Sequence, residues 1–202
     1  MAKRIIAIQH TQSTHHGSGM VGGWTDWELT NLGMEHAENI GRKLSEELKG
    51  QNWKIYSSDL KRAVQTVEPL ANYMGIKINL IKDLREMNYT GEEAIGKTTK
   101  WFEENAAPTS AYDYRAFPGA ESWRDFWDRV ASCCDKIAED KEDNVIIASH
   151  GMTMSVWQYA WLGFGMRDFI YTGHPGGVSF MQINDKGIRI INRWNDTLYM
   201  NC

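Results

Sequence analysis

Short runs of apolar residues alternate along this chain with longer segments in which apolar residues recur every three or four positions. Residues 5–8 and 144–149 form mostly apolar runs, which are typical of strands buried on both faces. The short segment 54–57 and the alternating segment 76–81 predict two further strands. The pattern therefore indicates strands separated by helices.

The segments between these strands carry the spacing of helices. One helix is predicted after Thr30, a favourable N-cap residue, and Gly50 marks its expected end. Another is predicted from about residue 60 to 73, where Pro69 should cause a kink or a local break. Further helices are predicted over residues 121–140 and from about residue 152. This alternation favours an α/β fold with a mostly parallel sheet and helices on both faces.

Two segments depart from the alternation. Residues 89–119 keep no sustained period, and we predict an irregular lid inserted beside an active site. Residues 178–183 and 188–194, joined by a turn at 184–187, predict a hairpin that adds an antiparallel edge to the sheet. In such sheets, ligands bind outside the carboxyl ends of the strands.

The composition narrows the class of protein. The chain has 202 residues, 42% hydrophobic and 24% charged, as expected for one globular domain. A net charge of −4 without blocks of like charge argues against nucleic-acid and membrane-surface partners. We find neither a signal peptide nor an apolar run of membrane-spanning length, and the three Cys match no disulfide framework or metal spacing. We therefore expect a cytoplasmic protein.

Candidate chemistry lies where strands end. His10 and His150 each follow a predicted buried strand, and Arg62 lies in the first turn of a helix that follows another. Two His and one Arg at one sheet edge would form an anion pocket, because a neutral imidazole can attack phosphorus while a guanidinium neutralises the oxygens. Glu86 is placed to protonate a leaving alkoxide. An alternative for Glu86 is a surface ion pair with Arg85 or Lys82.

Five segments in order resemble the histidine phosphatase superfamily, also called the phosphoglycerate mutase-like family. The third is the most specific. They are residues 5–13, residues 23–26 with Leu29, Thr30 and Gly33, residues 58–66, residues 84–89, and residues 149–151.

The resemblance implies a three-layer α/β/α sandwich in a single domain over residues 1–202, with the lid at about 89–119. It implies that His10 is the nucleophile that becomes phosphohistidine, that Glu86 is the general acid, and that Arg62 and His150 stabilise the phosphoryl group. No metal or organic cofactor is required. The expected partner is a small phosphorylated substrate or inorganic phosphate, and a homodimer is left open. The residues expected to bind substrate or phosphate are Gln9, Ser13, Gly23, Arg62, Tyr89 and His150.

The first motif departs from the family pattern. Where the family has Arg-His-Gly, this chain has Gln9-His10-Thr11. Gln9 brings no charge, and a charge-assisted hydrogen bond contributes about 1.5 to 3 kcal/mol, so its loss would cost roughly ten- to a hundredfold in binding or rate. Thr11 is expected to crowd the phosphate or to require a different backbone conformation, since only Gly tolerates positive φ freely.

A second departure concerns the type of reaction. The stretch 15–21 lacks the Arg of the family's mutases, and the lid lacks their paired arginines, since Lys97 and Arg115 are well apart. A phosphatase is therefore favoured over a mutase. A catalytically silenced phosphate-binding module is the alternative. We also hypothesise that His15 and His16 partly replace the lost positive charge at mildly acidic pH.

Three weaker signals complete the sequence analysis. His174 is a candidate for the border of the pocket, because it lies in a loop after the helix that follows His150. Trp157 and Trp161, four residues apart on a predicted helix, are expected to pack in the core. Cys133 and Cys134 are expected to be structural.

Overall fold

The computed structural model describes residues 3–107, 112–166 and 173–201. Within them, six strands form one sheet. They are β1 (Lys3–Gln9), β2 (Lys54–Ser57), β3 (Ile78–Leu80), β4 (Asn144–Ser149), β5 (Val178–Ile183) and β6 (Arg189–Asp196).

The strand order is β3-β2-β4-β1-β5-β6. The first four strands of this order pair in parallel, whereas β5 is antiparallel to both β1 and β6. The mostly parallel sheet with an antiparallel hairpin at its edge is therefore confirmed. Since β1 and β4 are central neighbours, their carboxyl ends meet at the same edge of the sheet.

Helices follow most of the parallel strands. Thr30 Oγ1 accepts the Gly33 N–H at the start of the helix Asn31–Glu47, and Ser122 forms a capping box with Asp125 at the start of the helix Trp123–Ala138. The helices are α1 (His15–Ser18), α2 (Asn31–Glu47), α3 (Lys61–Met74), α4 (Thr99–Asn105), α5 (Trp123–Ala138) and α6 (Gly151–Trp161), and 3₁₀ turns lie at Lys82–Leu84 and Leu198–Met200.

Two apolar cores lie on opposite faces of the sheet because successive strand side chains point to opposite sides. Ile5 and Ala7 of β1 pack with α5 and α6, whereas Ile6 and Ile8 pack with α2 and α3. This arrangement is the expected three-layer sandwich. Trp157 and Trp161 are fully buried in the first core, and so are Cys133 and Cys134, so these packing predictions are confirmed.

The structure corrects several predicted boundaries. Pro69 does not interrupt α3, which continues to Met74. It lies against Gly41 of α2, where a Cβ would come within 2.9 Å of the Pro69 Cβ, so the two helices pack closely there. The preceding helix ends at Glu47, before Gly50, and β3 is shorter than predicted.

The lid segment is less irregular than predicted. It contains α4, whose first turn is capped by Thr98 Oγ1 accepting the Trp101 N–H. Residues 108–111 of the lid lie outside the described residues. The lid boundaries and the single domain over 1–202 stay predictions. Among the described helices, none combines the length and the apolar character that crossing a membrane requires.

Candidate active site

Two histidines meet at the carboxyl edge of the sheet. His10 follows β1 and His150 follows β4, and their ring centroids are 5.2 Å apart in an edge-on arrangement. Both side chains are buried. The register explains this meeting, because Gln9 pairs with Ser149 in the parallel ladder and the next residue of each strand enters the same crevice.

The hydrogen bond of His10 defines its reactive nitrogen. Its Nδ1 lies 2.8 Å from the carbonyl oxygen of Thr11. Because a carbonyl only accepts, Nδ1 carries the hydrogen and the lone pair of the neutral ring is on Nε2. Burial and the charge of Arg62 hold the pKa of His10 well below its usual value. The ring is therefore neutral at physiological pH, as a nucleophile must be.

Arg62, at the start of α3, is 1% exposed. Its Nη1 donates to the Thr25 carbonyl at 2.9 Å and its Nη2 to the Gly23 carbonyl at 2.8 Å. The Nε has no hydrogen-bond partner although it is buried. A buried guanidinium without an acidic partner and with an unpaired N–H favours an incoming anion. Gly23 thus contacts Arg62 through its carbonyl.

His150 is held from the neighbouring strand. Its Nε2 lies 2.8 Å from Ser58 Oγ, in the loop after β2. The other ring nitrogen, Nδ1, is buried without a partner. Burial and the charge of Arg62 keep the pKa of His150 well below its usual value. Within the residues that the structure describes, the pocket therefore contains two buried nitrogens, on Arg62 and His150, without hydrogen-bond partners.

Glu86 lies half-buried against the N-terminus of α6. Its Oε1 accepts the N–H of Met87 at 3.0 Å and of Thr153 at 3.1 Å, and its Oε2 accepts the N–H of Met152 at 3.1 Å. The N-cap residue of α6, His150, makes no capping bond itself, so Glu86 supplies the cap from another segment. Burial raises the pKa of Glu86 despite these hydrogen bonds and Arg62, which lower it.

The alternative of a surface ion pair for Glu86 is wrong. Arg85 instead forms a bidentate pair with Asp59, and the Lys82 ammonium lies over the Trp24 ring. The sequence placed Glu86 near the chemistry, but its capping of α6 had no sequence signal because Thr153 is 67 residues away.

Tyr89 and Ser13 lie at different depths. The Tyr89 hydroxyl is beside Gly22, where a Cβ would lie 3.2 Å from it, and burial raises the Tyr89 pKa. Ser13 is fully buried, and its Oγ lies 2.8 Å from His15 Nδ1. Ser13 is therefore in contact with the His15 ring. Phosphate contacts by either residue stay predictions.

Gln9 occupies a narrow slot between two glycines. A Cβ on Gly151 would lie 3.2 Å from Gln9 Nε2, and one on Gly173 would lie 3.0 Å from Gln9 Oε1. The Oε1 is buried without a partner. Only the Nε2 of this carboxamide can donate to a phosphate oxygen, so Gln9 contributes at most a neutral hydrogen bond.

The left-handed backbone expected as one possibility at Thr11 is wrong, whereas crowding of a phosphate by its side chain stays a prediction. Its Oγ1 donates to the Gly33 carbonyl at 2.8 Å, and its N–H donates to Thr66 Oγ1 at 3.0 Å. In the part of the chain that the structure describes, Asn195 is the only non-glycine residue with positive φ. The Thr11 side chain therefore joins the nucleophile loop to α2 without a left-handed backbone.

The short helix α1 places His15 and His16 beside His10. The His16 ring stacks on His10 with centroids 5.4 Å apart, and the His15 ring is 4.3 Å from that of His16. Burial, the charge of its neighbour His16 and Arg62 lower the pKa of His15 to about 3, and burial and Arg62 lower that of His16. These lowered pKa values favour the neutral form of both rings and oppose the positive charge expected of them at mildly acidic pH.

His174 lies in the loop before β5 and is exposed, with Nδ1 2.7 Å from the Pro175 carbonyl. The same loop contacts the nucleophile strand, because the Gly176 N–H donates to the His10 carbonyl at 3.1 Å. A role for His174 stays a prediction. Across the described ranges, no group of three or more His, Cys, Asp or Glu is arranged to hold a metal ion.

Gly33 is where α2 meets the nucleophile loop. A Cβ there would lie 2.0 Å from the Gln12 carbonyl oxygen, so Gly33→Ala must displace backbone next to Thr11. We expect a loss of about 2 kcal/mol in the free energy of unfolding, measured by urea denaturation. Gly17→Ala is the matched control, since a Cβ at Gly17 meets nothing within 4 Å. Equal stability of the two variants would contradict this contact.

The sheet order and the buried His and Arg side chains at its carboxyl edge define an α/β protein with a polar pocket. The chain belongs to the histidine phosphatase superfamily, branch 1, whose sequence profile matches residues 5–197. The resemblance inferred from the five segments is therefore confirmed.

Relatives within this family differ in their named activities. "Putative phosphoserine phosphatase 2" of Hydrogenobacter thermophilus is 27% identical over 191 residues, covering 92% of this chain and 91% of that protein. The "2,3-bisphosphoglycerate-dependent phosphoglycerate mutase" of Bartonella tribocorum is 28% identical, covering 84% and 86%. A mycobacterial glucosyl-3-phosphoglycerate phosphatase structure shares the fold, with a TM-score of 0.77, 21% identity and coverage of 97% and 100%. The phosphatases among them support a phosphatase of this superfamily.

Proposed function

We propose that this protein is a phosphomonoesterase that hydrolyses a small phosphorylated metabolite through a phosphohistidine on His10. The observation that carries the proposal is the state of His10: a buried neutral ring whose Nδ1–H is held by the Thr11 carbonyl, leaving the Nε2 lone pair free. Beside this ring lie the unpartnered Arg62 Nε and His150 Nδ1. A nucleophile next to unpaired buried nitrogens fits phosphoryl transfer.

In the first step, His10 Nε2 attacks phosphorus and the bond from phosphorus to the ester oxygen breaks. The protonated carboxyl of Glu86 gives its proton to the leaving oxygen, which departs as an alcohol. Burial, which raises the pKa of Glu86, favours the protonated form that this step needs. Arg62 and His150 stabilise charge on the phosphoryl oxygens during the transfer.

In the second step, water attacks the phosphorus of phosphohistidine and the phosphorus–nitrogen bond breaks. The Glu86 carboxylate takes a proton from that water, the electron pair returns to His10 Nε2, and inorganic phosphate leaves. Each residue is then back in its starting state. With the one water that the second step consumes, the atoms and charges of both steps balance.

The lid favours a phosphatase over a mutase. A mutase must bind a second acidic group of its substrate, and each of the three basic residues of the lid contacts a neighbouring side chain, with the Lys100 ammonium 3.8 Å from a Glu104 carboxylate oxygen. The Lys97 ammonium lies 5.3 Å from the Trp101 ring centroid. Arg115 forms an ion pair with Asp125 and donates to the Ala120 carbonyl at 2.8 Å. The lid therefore has a single arginine and not the pair that the family's mutases use for a second anion.

The alternative is a phosphate-binding module with a silenced site. Gln9 supports it, because the carboxamide lacks the charge and the bidentate geometry of Arg. The backbone of Thr11 does not support a silenced site, since the Thr11 side chain bonds to α2 and the residue has no left-handed conformation.

The proposal is tested by the leaving-group dependence of Glu86→Gln. A nitrophenyl phosphate needs little help from an acid, whereas an alkyl phosphate needs a proton. We expect wild type to hydrolyse both, and Glu86→Gln to lose about 10²- to 10⁴-fold in kcat with the alkyl ester but far less with the nitrophenyl ester. Steady-state kinetics on both esters provides the measurement.

The Gln variant is chosen because its Oε1 can still accept N–H groups of α6, so the cap is partly kept. Glu86→Ala, which loses the cap, should unfold at lower urea concentration. Equal losses with both esters would exclude Glu86 as the general acid. A wild type that binds vanadate and hydrolyses neither ester would establish the silenced module.

A further inference from the structure

The proposed mechanism leaves His15 and His16 without a function, although they lie in the pocket. Helix α1 brings both rings to the nucleophile, with the His15 and His16 centroids 6.2 and 5.4 Å from that of His10. His15 is half-buried and His16 is exposed, whereas His10 and His150 are nearly inaccessible. The pair therefore lies on the open side of the nucleophile, where a ligand enters.

Ser13 makes the two imidazoles unequal. Its backbone N–H donates to His16 Nδ1 at 3.2 Å, so the neutral His16 ring carries its hydrogen on Nε2. Protonating His16 at Nδ1 would break that bond. His15 Nδ1 instead lies 2.8 Å from Ser13 Oγ, and this hydroxyl can donate to a neutral ring or accept from a charged one. His15 can therefore gain a proton without losing its partner.

We propose that His15 and His16 form a proton-linked oxyanion clamp, in which entry of a phosphoryl group or an inorganic oxyanion makes His15 take up a proton while neutral His16 donates its Nε2–H. This inference rests on the proposed function only in placing a phosphoryl group in this pocket. On binding of the oxyanion, protonated His15 would supply part of the positive charge that Gln9 lacks.

The charges around the pair explain why the proton comes with the ligand. The titratable or charged groups that face His15 and His16 from neighbouring elements are His10, His150 and Arg62. The Tyr89 hydroxyl lies beside Gly22, as His15 Nε2 does, and Glu86 acts on the cluster through Arg62. Arg62 is the cation among them and lowers the pKa of both histidines. A dianion beside Arg62 reverses that field and raises the pKa of His15. By linkage, oxyanion affinity must then increase as pH falls.

Sulfate is a suitable probe because it stays a dianion near neutral pH. Any proton taken up on binding is therefore gained by the protein and not by the ligand. Isothermal titration calorimetry of the whole protein in buffers of different ionisation enthalpy counts those protons. We expect uptake of about one proton per sulfate at about pH 6, and an affinity about tenfold higher there than at about pH 8. His15→Asn should remove both effects, whereas His16→Asn should keep the uptake.

The control is His36→Asn, a histidine of α2 outside the ring cluster, which should behave as wild type. The variant Glu86→Gln tests whether Glu86, and not His15, takes up the proton. Proton uptake that persists in His15→Asn and disappears in Glu86→Gln overturns the clamp. Sulfate binding without proton uptake, or no sulfate binding at either pH, also overturns it. Sulfate binding needs no turnover. A protein that fails these sulfate tests and still hydrolyses phosphate esters therefore overturns the clamp and leaves the proposed function standing.

Discussion

Replacing His10 with Ala is expected to lower kcat for phosphate monoester hydrolysis by about 10⁴-fold or more. The variant lacks the nitrogen that forms the covalent intermediate, and the remaining donors on Arg62 and His150 bind an oxyanion without attacking it. The measurement is twofold: steady-state turnover, and intact mass after incubation with a reactive phosphate donor. Wild type should gain one acid-labile phosphoryl group, and His10→Ala should gain none.

The substitution leaves the rest of the site nearly intact. Among the described residues, the one hydrogen-bond partner of the His10 ring is the neighbouring Thr11 carbonyl. Urea denaturation should therefore show a small change in stability compared with the loss of turnover. His36→Ala, on α2 and outside the ring cluster, is the control and should be labelled like wild type. A labelled His10→Ala protein would place the nucleophile elsewhere and refute the proposed intermediate.

The second large effect is expected for Arg62→Lys, which should lower kcat/KM by about 10²- to 10³-fold. The guanidinium bonds to the Gly23 and Thr25 carbonyls and still has a free Nε–H. An ammonium is a point charge on a flexible stem, so it cannot serve both carbonyls and the phosphoryl group in this fixed geometry. The substitution thus keeps the charge and removes the geometry.

The same substitution should also destabilise the fold, since at least one buried carbonyl loses its donor, at about 1 to 3 kcal/mol. Activity is therefore measured where urea denaturation shows the variant fully folded. Arg42→Lys is the matched control, because Arg42 is exposed on α2 and only weakly paired with Glu46. If Arg62→Lys lost less than about tenfold in kcat/KM, charge alone would suffice at this position.

The sequence by itself determined most of the scaffold. The boundaries of β2, β4 and β5 follow from local patterns, because an apolar run bounded by polar residues needs no distant partner to define a strand. The alternation of elements led to the parallel sheet with its hairpin, and the five family segments led to His10, Arg62, Glu86 and His150. These predictions rest on signals that lie within a few neighbouring residues.

Short elements depended on tertiary contacts. Helix α1 has only four residues and no side-chain cap, so it has no periodic signal of its own. It lies between two isolated bridges, Ser13 with Leu29 and Met20 with Thr98, that tie its flanks to distant segments. The lid helix α4 is similarly short. Contacts between residues far apart in sequence stabilise such elements, so a local pattern does not predict them.

The hydrogen bonds of the site were decided by tertiary structure alone. Sequence placed Glu86 near the leaving group, but only the fold makes it the cap of α6. Sequence indicated strain at Thr11, but the approach of Gly33 gives its hydroxyl an acceptor. Sequence placed His15 and His16 near the motif, but only the shared contact with Ser13 makes their protonation unequal. Local patterns determine which elements form, whereas the protonation and partners of a buried polar group depend on what the fold packs against it.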